Sequence, residues 1–214
     1  MKIEDGIDML ELPIFLLGTD RTIYPTLIHD NENVILVDAG ISDSLKDIKS
    51  IPNEIPEVKV FVHEEDKPYI QGEKKILRSN SKFMDRINSL PNEEPKKVLD
   101  MFENSSVKVN IILNDGEELA YCGGIIFIHT PGNTPGHVCL YHKMSKTLIV
   151  GDVLNVINGQ LVRLNKDSMN EEDVKIAINS LKKLEKYDIE NVMSYHGGLF
   201  SNKPNEIIKD LIKG

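Results

Sequence analysis

The sequence predicts an α+β fold in which two mixed sheets form a sandwich flanked by helices. Short apolar segments divided by turn residues occur in both halves of the chain, the middle is helical, and two amphipathic helices lie near the C-terminus. The order of these elements suits two packed sheets with helices on their outer faces. A chain of 214 residues is short enough to form one domain, so we expect a single domain over residues 1–214.

The first forty residues predict consecutive antiparallel strands. Their apolar segments, divided by proline, glycine and polar turns, cover residues 9–17, 22–29 and 34–38. The run Val34 to Val37 is continuously apolar, which predicts a strand buried on both faces. Gly40 then ends this segment, and a short helix is predicted over 42–50.

The middle of the chain is charged and helical. A strand over 58–62 ends in the polar run His63 to Asp66, and residues 71–104 then form a helical insertion with apolar residues, among them Ile87, at helical spacing. We interpret the insertion as surface packing. A substrate entrance or an oligomer contact is the alternative.

The second half returns to short strands and ends in helices. Strands follow from Val107 to the turn at 144–146. A strong amphipathic helix begins after Asn170, a strand covers 191–194, and Pro204 opens a final helix.

Composition excludes several classes of partner. The net charge of -9 argues against binding to nucleic acid or anionic lipid, because both depend on clustered basic residues. No apolar run approaches the roughly 20 residues of a membrane span, and the start at Met1 is acidic rather than a secretory leader, so we expect a cytoplasmic protein. Cys122 and Cys139 are predicted to be small buried residues.

Three segments place polar side chains at the ends of strands. Two Thr-Pro-Gly turns within Thr130 to His137 present Asn133 and His137 at matched positions. An apolar strand ends at Gly151-Asp152, and another ends at Tyr195-His196 before two glycines. Binding sites are commonly built at such positions.

Together with Val37-Asp38-Ala39-Gly40, the order and spacing of these segments closely resemble the metallo-β-lactamase superfamily, including its glyoxalase-like and small-hydrolase branches. The resemblance covers nearly the whole chain. It implies an αββα sandwich in which His-x-His-x-Asp-His, Thr-Pro-Gly-His, a strand-ending Asp and a late His hold two zinc ions. Zinc accepts imidazole and carboxylate ligands, and its bound water becomes a hydroxide nucleophile near neutral pH.

The sequence departs from this pattern twice. No His-x-His-x-Asp-His occurs, and the chain passes from the helix over 42–50 to the strand over 58–62 as if one strand-helix unit were missing. The position of the histidine in Thr-Pro-Gly-His is Asn133, whose amide oxygen is a poorer zinc ligand. The remaining connection is long enough for a crossover, so it is sterically possible for the strands over 34–38 and 58–62 to become neighbours.

The resemblance leaves two residual metal ligands, Asp152 as the bridging carboxylate and His196 as the late histidine. Asp38, His137 and Tyr195 are expected to support the cleft. A catalytic zinc commonly has three protein ligands, so we expect no zinc or weakly bound zinc where the family norm is two ions.

Other residues offer substitute chemistry. The run His63 to Asp66, together with His29 and His129, could supply ligands, although the acidic run is more typical of a solvated helix start. A covalent mechanism is a further alternative, with Ser194 or Cys139 beside a histidine. No Gly-x-Ser-x-Gly turn occurs, and Cys139 falls within a strand.

Two functions follow from these expectations. The first is a hydrolase-like protein with a degraded zinc site and little or no zinc hydrolase activity, which uses the old cleft to bind a small molecule or partner. The alternative is a metal-dependent hydrolase of esters, thioesters or lactams with a reduced mononuclear site. The sequence does not identify the substrate for either function, because one fold serves many substrates. It is also compatible with a homodimer.

Overall fold

A computed structural model describes residues 1–16, 18–38, 59–74, 85, 87–91, 95–96, 99, 106–163 and 171–213. The predicted helix over 42–50 and the helix start at Asn170 lie outside these residues, as does most of the predicted insertion over 71–104. Of that insertion, Ile87 is helical and fully buried.

The described strands are, in chain order, β1 (Lys2–Glu4), β2 (Ile7–Met9), β3 (Leu12–Leu16), β4 (Thr19–Ile23), β5 (Thr26–His29), β6 (Val34–Val37), β7 (Phe61–Val62), β8 (Ile111–Ile112), β9 (Glu118–Leu119), β10 (Ile125–His129), β11 (Val138–His142), β12 (Thr147–Gly151), β13 (Leu154–Ile157), β14 (Gln160–Arg163), β15 (Asn191–Ser194) and β16 (Gly198–Phe200). The α-helices are α1 (Lys67–Ile70), α2 (Glu171–Leu181) and α3 (Pro204–Lys213), and 3-10 helices cover Glu64–Asp66 and Lys182–Lys186.

Two sheets dominate the described part of the chain. The first has the order β1-β2-β5-β6, with antiparallel neighbours. The second has the order β16-β15-β12-β11-β10-β9 and is mixed, because β12 and β15 run parallel while its other neighbours are antiparallel. The strands β3 and β4, β7 and β8, and β13 and β14 form separate pairs.

The second sheet is apolar on both faces because it separates two cores. Ile125 and Phe127 of β10 face the core shared with the first sheet, where they meet Ile7 and Ile28. Ile128 of the same strand faces the opposite core, which the final helices cover. The alternation follows from the period of two along a strand. This layering confirms the predicted fold class of mixed sheets with helices.

The C-terminal helices begin and pack as their apolar patterns predict. Leu181 at the end of α2, Leu184 in the following 3-10 helix and Ile208 of α3 are buried in the same core. Pro204 begins α3, where its missing N–H costs no hydrogen bond. In the described part of the chain, no helix has the length and apolar content needed to cross a membrane.

The expectation that Val34 to Val37 would be buried on both faces is wrong. Val34 is 44% exposed and the other three residues of β6 are only half-buried. Within the described residues, β6 pairs on one side only, with β5, because it lies at the end of the first sheet. Without a second neighbouring strand, its side chains stay partly open to solvent.

The strands over 34–38 and 58–62, whose pairing was sterically possible, are not hydrogen-bonded neighbours in the described part of the chain. The second of them is present only as Phe61–Val62, which pairs in parallel with β8. Ile35 and Phe61 nevertheless pack against the same core. The strands therefore share a layer without closing into one sheet.

Candidate functional site

The residual ligand positions meet where two parallel strands end. Because β12 and β15 run parallel, Gly151-Asp152 and Tyr195-His196 leave the same edge of the second sheet. The N–H of Tyr195 donates to the Gly151 carbonyl at 3.1 Å. His196 Nε2 lies 3.3 Å from Asp152 Oδ1, so the two predicted ligands contact each other.

Gly151 makes room for two further predicted residues. Its φ is 52°, and a Cβ at this position would lie 3.0 Å from His137 Nε2 and 3.7 Å from Asp38 Oδ2. A side chain at 151 would therefore displace the imidazole or the carboxylate. Asp38 itself has a φ of 60°, which turns the chain sharply at the end of β6.

The cleft concentrates negative charge. Asp38 is partly exposed to solvent, and its carboxyl group approaches Gly151 and senses the charge of Asp152. Burial first, and the charge of Asp152 second, raise the pKa of Asp38 to about 7. Burial and the same two carboxylates also raise the pKa of Tyr195, whose ring meets that of His196 edge to face at 5.0 Å.

The loop over 130–137, which carries Asn133, is held by close contacts on two sides. A Cβ on Gly132 would lie 2.4 Å from Ala177 Cβ of α2, and one on Gly136 would lie 2.5 Å from the backbone nitrogen of Asp66. Both Thr-Pro-Gly turns therefore need glycine for packing. The Asp66 carboxylate also accepts hydrogen bonds from the Thr134 hydroxyl at 2.6 Å and the Gly136 N–H at 2.8 Å.

Asp66 is a residue that sequence reasoning missed. The run His63 to Asp66 is a 3-10 helix, and Glu64 and Glu65 are exposed as a solvated helix start predicts. Asp66 is instead half-buried against the loop. The available signal was the pair of polar turns at Thr134 and Gly136, which leave backbone and hydroxyl donors for a carboxylate.

The His137 ring is oriented by a hydrogen bond between its Nδ1 and the Thr130 hydroxyl. The Thr130 hydroxyl donates to Cys139 Sγ at 3.4 Å and lies 2.9 Å from His137 Nδ1. Since that oxygen gives its hydrogen to sulfur, we assign the second hydrogen bond to His137 Nδ1–H as donor. The Nε2 side of His137 then faces Gly151 and Asp38.

The structure argues against covalent catalysis by Cys139 or Ser194. Cys139 is fully buried, and burial raises its thiol pKa to about 12. The Ser194 hydroxyl is also fully buried, donates to the Leu154 carbonyl at 2.7 Å and accepts from the His196 N–H at 3.3 Å. Neither group is available as a nucleophile. Cys122 is buried too, as predicted.

The chain's histidines, all of them within the described residues, have distinct environments and lie at positions 29, 63, 129, 137, 142 and 196. His29 bonds to Asp8 at 2.8 Å. His63 and His129 stack on each other at 3.7 Å. His142 is buried between Ser145 and the Cys122 carbonyl. Only His137 and His196 therefore lie beside Asp152 or Gly151.

The substitute ligands considered from the sequence do not join Asp152 and His196. Across the described ranges, no three His, Cys, Asp or Glu side chains converge in a way that could hold a metal ion. Residues 39–58 lie outside those ranges, but their sequence contains neither histidine nor cysteine. The imidazole donors of the cleft are thus limited to those already described.

The fold and these landmarks define a class of protein. A sequence model of the metallo-beta-lactamase superfamily matches residues 53–196, which is most of the chain. The chain belongs to the metallo-beta-lactamase superfamily, which confirms the resemblance drawn from its sequence.

Two curated relatives from Bacillus subtilis (strain 168) are named as probable metallo-hydrolases. The first, YybB, is 27% identical over 157 residues, covering 71% of this chain and 59% of the relative. The second, YflN, is 25% identical over 152 residues, covering 66% of this chain and 55% of the relative. The alignments thus span less than two thirds of either relative's length.

Solved structures show the same fold at low identity. The metallo-beta-lactamase family protein TTHA1429 from Thermus thermophilus superimposes with a TM-score of 0.71 and 19% identity, over 98% of this chain and 79% of that chain. The metallo-beta-lactamase superfamily protein ST1585 from Sulfolobus tokodaii gives a TM-score of 0.60 and 19% identity, over 97% and 85% of the respective chains.

Proposed function

We propose that this chain is a metallo-β-lactamase-fold protein with a degraded zinc site, which binds a small molecule in the old cleft and has little or no zinc hydrolase activity. The observation that carries the proposal is the histidine inventory. Of the six imidazoles, only His196 stands at a metal-ligand position of the family, and it already contacts Asp152 at 3.3 Å.

The donor set does not fit two zinc ions. A bridging carboxylate and one imidazole leave each ion short of the three or four protein ligands that zinc commonly takes. Asn133 supplies at best an amide oxygen, which zinc binds less well than imidazole. His137 Nδ1–H donates a hydrogen bond to the Thr130 hydroxyl, and His137 Nε2 lies beside Gly151. The residues present therefore do not fit a dinuclear zinc centre.

A second candidate is a metal-dependent hydrolase of esters, thioesters or lactams with a mononuclear site. The names of the two Bacillus relatives favour it, as does the retention of both Asp152 and His196. It requires a third ligand in addition to these two residues.

Thermal melting with and without a chelator separates the two candidates. A site that binds metal in the folded state alone adds to stability, so chelation lowers the melting temperature of the second candidate. The first candidate predicts equal melting temperatures in EDTA and in added zinc. His196→Asn is the matched control, because any chelator effect at this site must disappear in that variant.

Restoring the downstream histidine tests how many ligands are missing. We expect Asn133→His alone to give no hydrolysis of generic ester, thioester or β-lactam substrates, because the upstream histidines are still absent from the sequence. The measurement is turnover with zinc added to the assay. Zinc-dependent turnover in Asn133→His, lost again on adding His196→Asn, would contradict the proposed function.

A further inference from the structure

We propose that His63 is an acid-sensitive helix cap which, through Asp66, controls the loop over 130–137. His63 Nδ1 accepts the Glu65 N–H at 3.3 Å, and the His63 carbonyl accepts the Asp66 N–H at 3.1 Å. The imidazole therefore caps the N-terminus of the 3-10 helix Glu64–Asp66. The inference goes beyond the proposed function and does not depend on it.

Asp66 transmits the state of this cap to the loop. One carboxylate oxygen accepts the Thr134 hydroxyl and the other accepts the Gly136 N–H. Hydrogen bonds to a carboxylate are about twice as strong as neutral ones. Because Asn133 immediately precedes Thr134, the orientation of the helical turn at Asp66 sets the position of Asn133.

The His63 ring contacts the same loop a second time, through His129. The two rings stack with centroids 3.7 Å apart and planes inclined by 9°. His129 Nε2 lies 2.8 Å from the Pro135 carbonyl, which can only accept, so this nitrogen carries a hydrogen. Stacked neutral imidazoles are compatible, whereas two imidazolium rings at this separation repel each other.

The charged groups around the stack come from three places. Glu65 and Asp66 lie on the helix that His63 caps, Asp115 lies before β9, and Lys183 lies in the 3-10 helix after α2. Lys183 bonds to Asp115 at 2.9 Å and to the His129 carbonyl at 2.8 Å, so the charge of Asp115 is paired.

The balance of these effects favours neutral His63 in the folded chain. Burial first, and His129 second, lower the pKa of His63, while the three acids oppose the shift. A histidine whose folded pKa is lowered binds fewer protons than in the unfolded chain. Its contribution to stability is therefore present above the ordinary histidine pKa and is lost as the pH falls.

Protonation acts directly on the cap. A proton on Nδ1 turns the acceptor of the Glu65 N–H into a donor, so that hydrogen bond breaks. It also places a cation against the His129 ring. Both changes release the turn that carries Asp66, and the Gly136 N–H loses its acceptor.

The Gly136 amide resonance in an NMR pH titration from 8 to 5 reports this event. In the wild-type chain we expect the Gly136 amide proton to shift upfield as the pH falls. The midpoint of this change should equal the midpoint of the pH-dependent shift of the His63 ring C–H protons. His63→Asn keeps a side-chain acceptor for the cap but does not titrate, so its Gly136 amide is expected to stay unchanged over this range. His29→Asn removes a histidine bonded elsewhere and should retain the wild-type titration.

Three results would overturn the inference. The first is a Gly136 amide that does not titrate in the wild-type chain. The second is an undiminished titration in His63→Asn, which would assign the effect to His129. The third is a midpoint that differs from that of the His63 ring, which the wild-type chain alone can reveal if His63→Asn does not fold.

Discussion

The two sheets of this molecule differ in how completely they are built. The second sheet has six strands in the described part of the chain, is buried on both faces and carries Asp152 and His196 at one edge. The first sheet has four, and its terminal strand β6 keeps Val34 44% exposed. The two residual ligand positions, Asp152 and His196, thus follow strands of the better-packed sheet, whereas Asp38 follows β6 of the first sheet.

This difference supports the proposed function, in which the superfamily's fold is kept while its metal site is degraded. The core between the sheets needs apolar side chains such as Ile28 and Phe127, and both are present. The metal site needs further imidazoles, but the histidine of the first sheet, His29, is bonded to Asp8, and the sequence of residues 39–58 contains none. Packing alone is therefore enough to hold Asp152 and His196 in place, as the proposed function requires.

The largest expected difference between the sheets is in how much stability, measured as the free energy of unfolding, is lost when a leucine is replaced by alanine. Leu148 of β12 is fully buried, whereas Leu36 of β6 is half-buried. We expect Leu148→Ala to lower the free energy of unfolding by about 2–5 kcal/mol and Leu36→Ala by about 1 kcal/mol or less. Urea denaturation of both variants measures this. Equal losses would show that the first sheet is packed as tightly as the second.

A smaller effect is expected at the loop that carries Asn133. Gly132→Ala combines a φ of 136° with a clash against Ala177, and we expect it to cost about 3 kcal/mol. Gly159→Ala is the matched control, since its φ is 74° but no atom lies within 4 Å of the added Cβ. Its backbone strain alone should cost about 1 kcal/mol. If both variants melt alike, the loop is not packed against α2.

A third prediction concerns the carboxylates at the cleft. The Asp38 pKa is raised from 3.8 to about 7, so the folded chain holds this proton where the unfolded chain has lost it, and stability declines as the pH rises through this range. At pH 8 we expect the free energy of unfolding of Asp38→Asn to exceed that of the wild-type chain by on the order of 1 kcal/mol. This figure allows for solvent screening at an exposed position.

Asparagine tolerates the φ of 60° found at Asp38, so backbone strain should not mask this gain. The advantage should shrink as the pH falls through this range and disappear only below the ordinary pKa of 3.8, where the carboxyl group is protonated in both states. Asp210→Asn, on an exposed part of α3, controls for the change in net charge. A gain at pH 8 that persists unchanged at pH 4 would contradict the carboxylate repulsion.

The smallest expected effect is in thiol reactivity. Burial raises the thiol pKa of Cys122 to about 11 and that of Cys139 to about 12. We expect neither to react with Ellman's reagent at pH 8 in the folded chain, and both to react in urea. Rapid labelling of Cys139 in the native state would show that the core behind His137 is open.

Much of the fold was predictable because its signals are local. The apolar strand ending at Asp152, the helix opening at Pro204 and the strand ending at Ser194 each follow from residues within one element. The split of the predicted strand over 9–17 was missed: β2 ends at Met9 and β3 begins at Leu12. The pattern of apolar residues does not reveal this break, because Met9, Leu10 and Leu12 are all apolar.

The sequence predicted which residues form the candidate site better than it predicted which of them contact each other. The resemblance pointed to Asp152 and His196, and the parallel pairing of β12 with β15 explains why they meet. The sequence showed that the loop has donors for a carboxylate, but it did not show that Asp66 binds them or that His63 stacks on His129. Both contacts join segments more than sixty residues apart in sequence, and their geometry depends on how the chain packs.

Zinc affinity tests the central claim most directly. The wild-type chain and Asp152→Asn/His196→Asn are titrated with zinc in competition with a fluorescent chelator at pH 7.5, after removal of metal. We predict that the wild-type chain binds zinc weakly, with far less than one equivalent retained after dialysis, because two protein ligands are too few for a tight site. Retention of one or more zinc ions per wild-type chain, lost in the double variant, would contradict the degraded site.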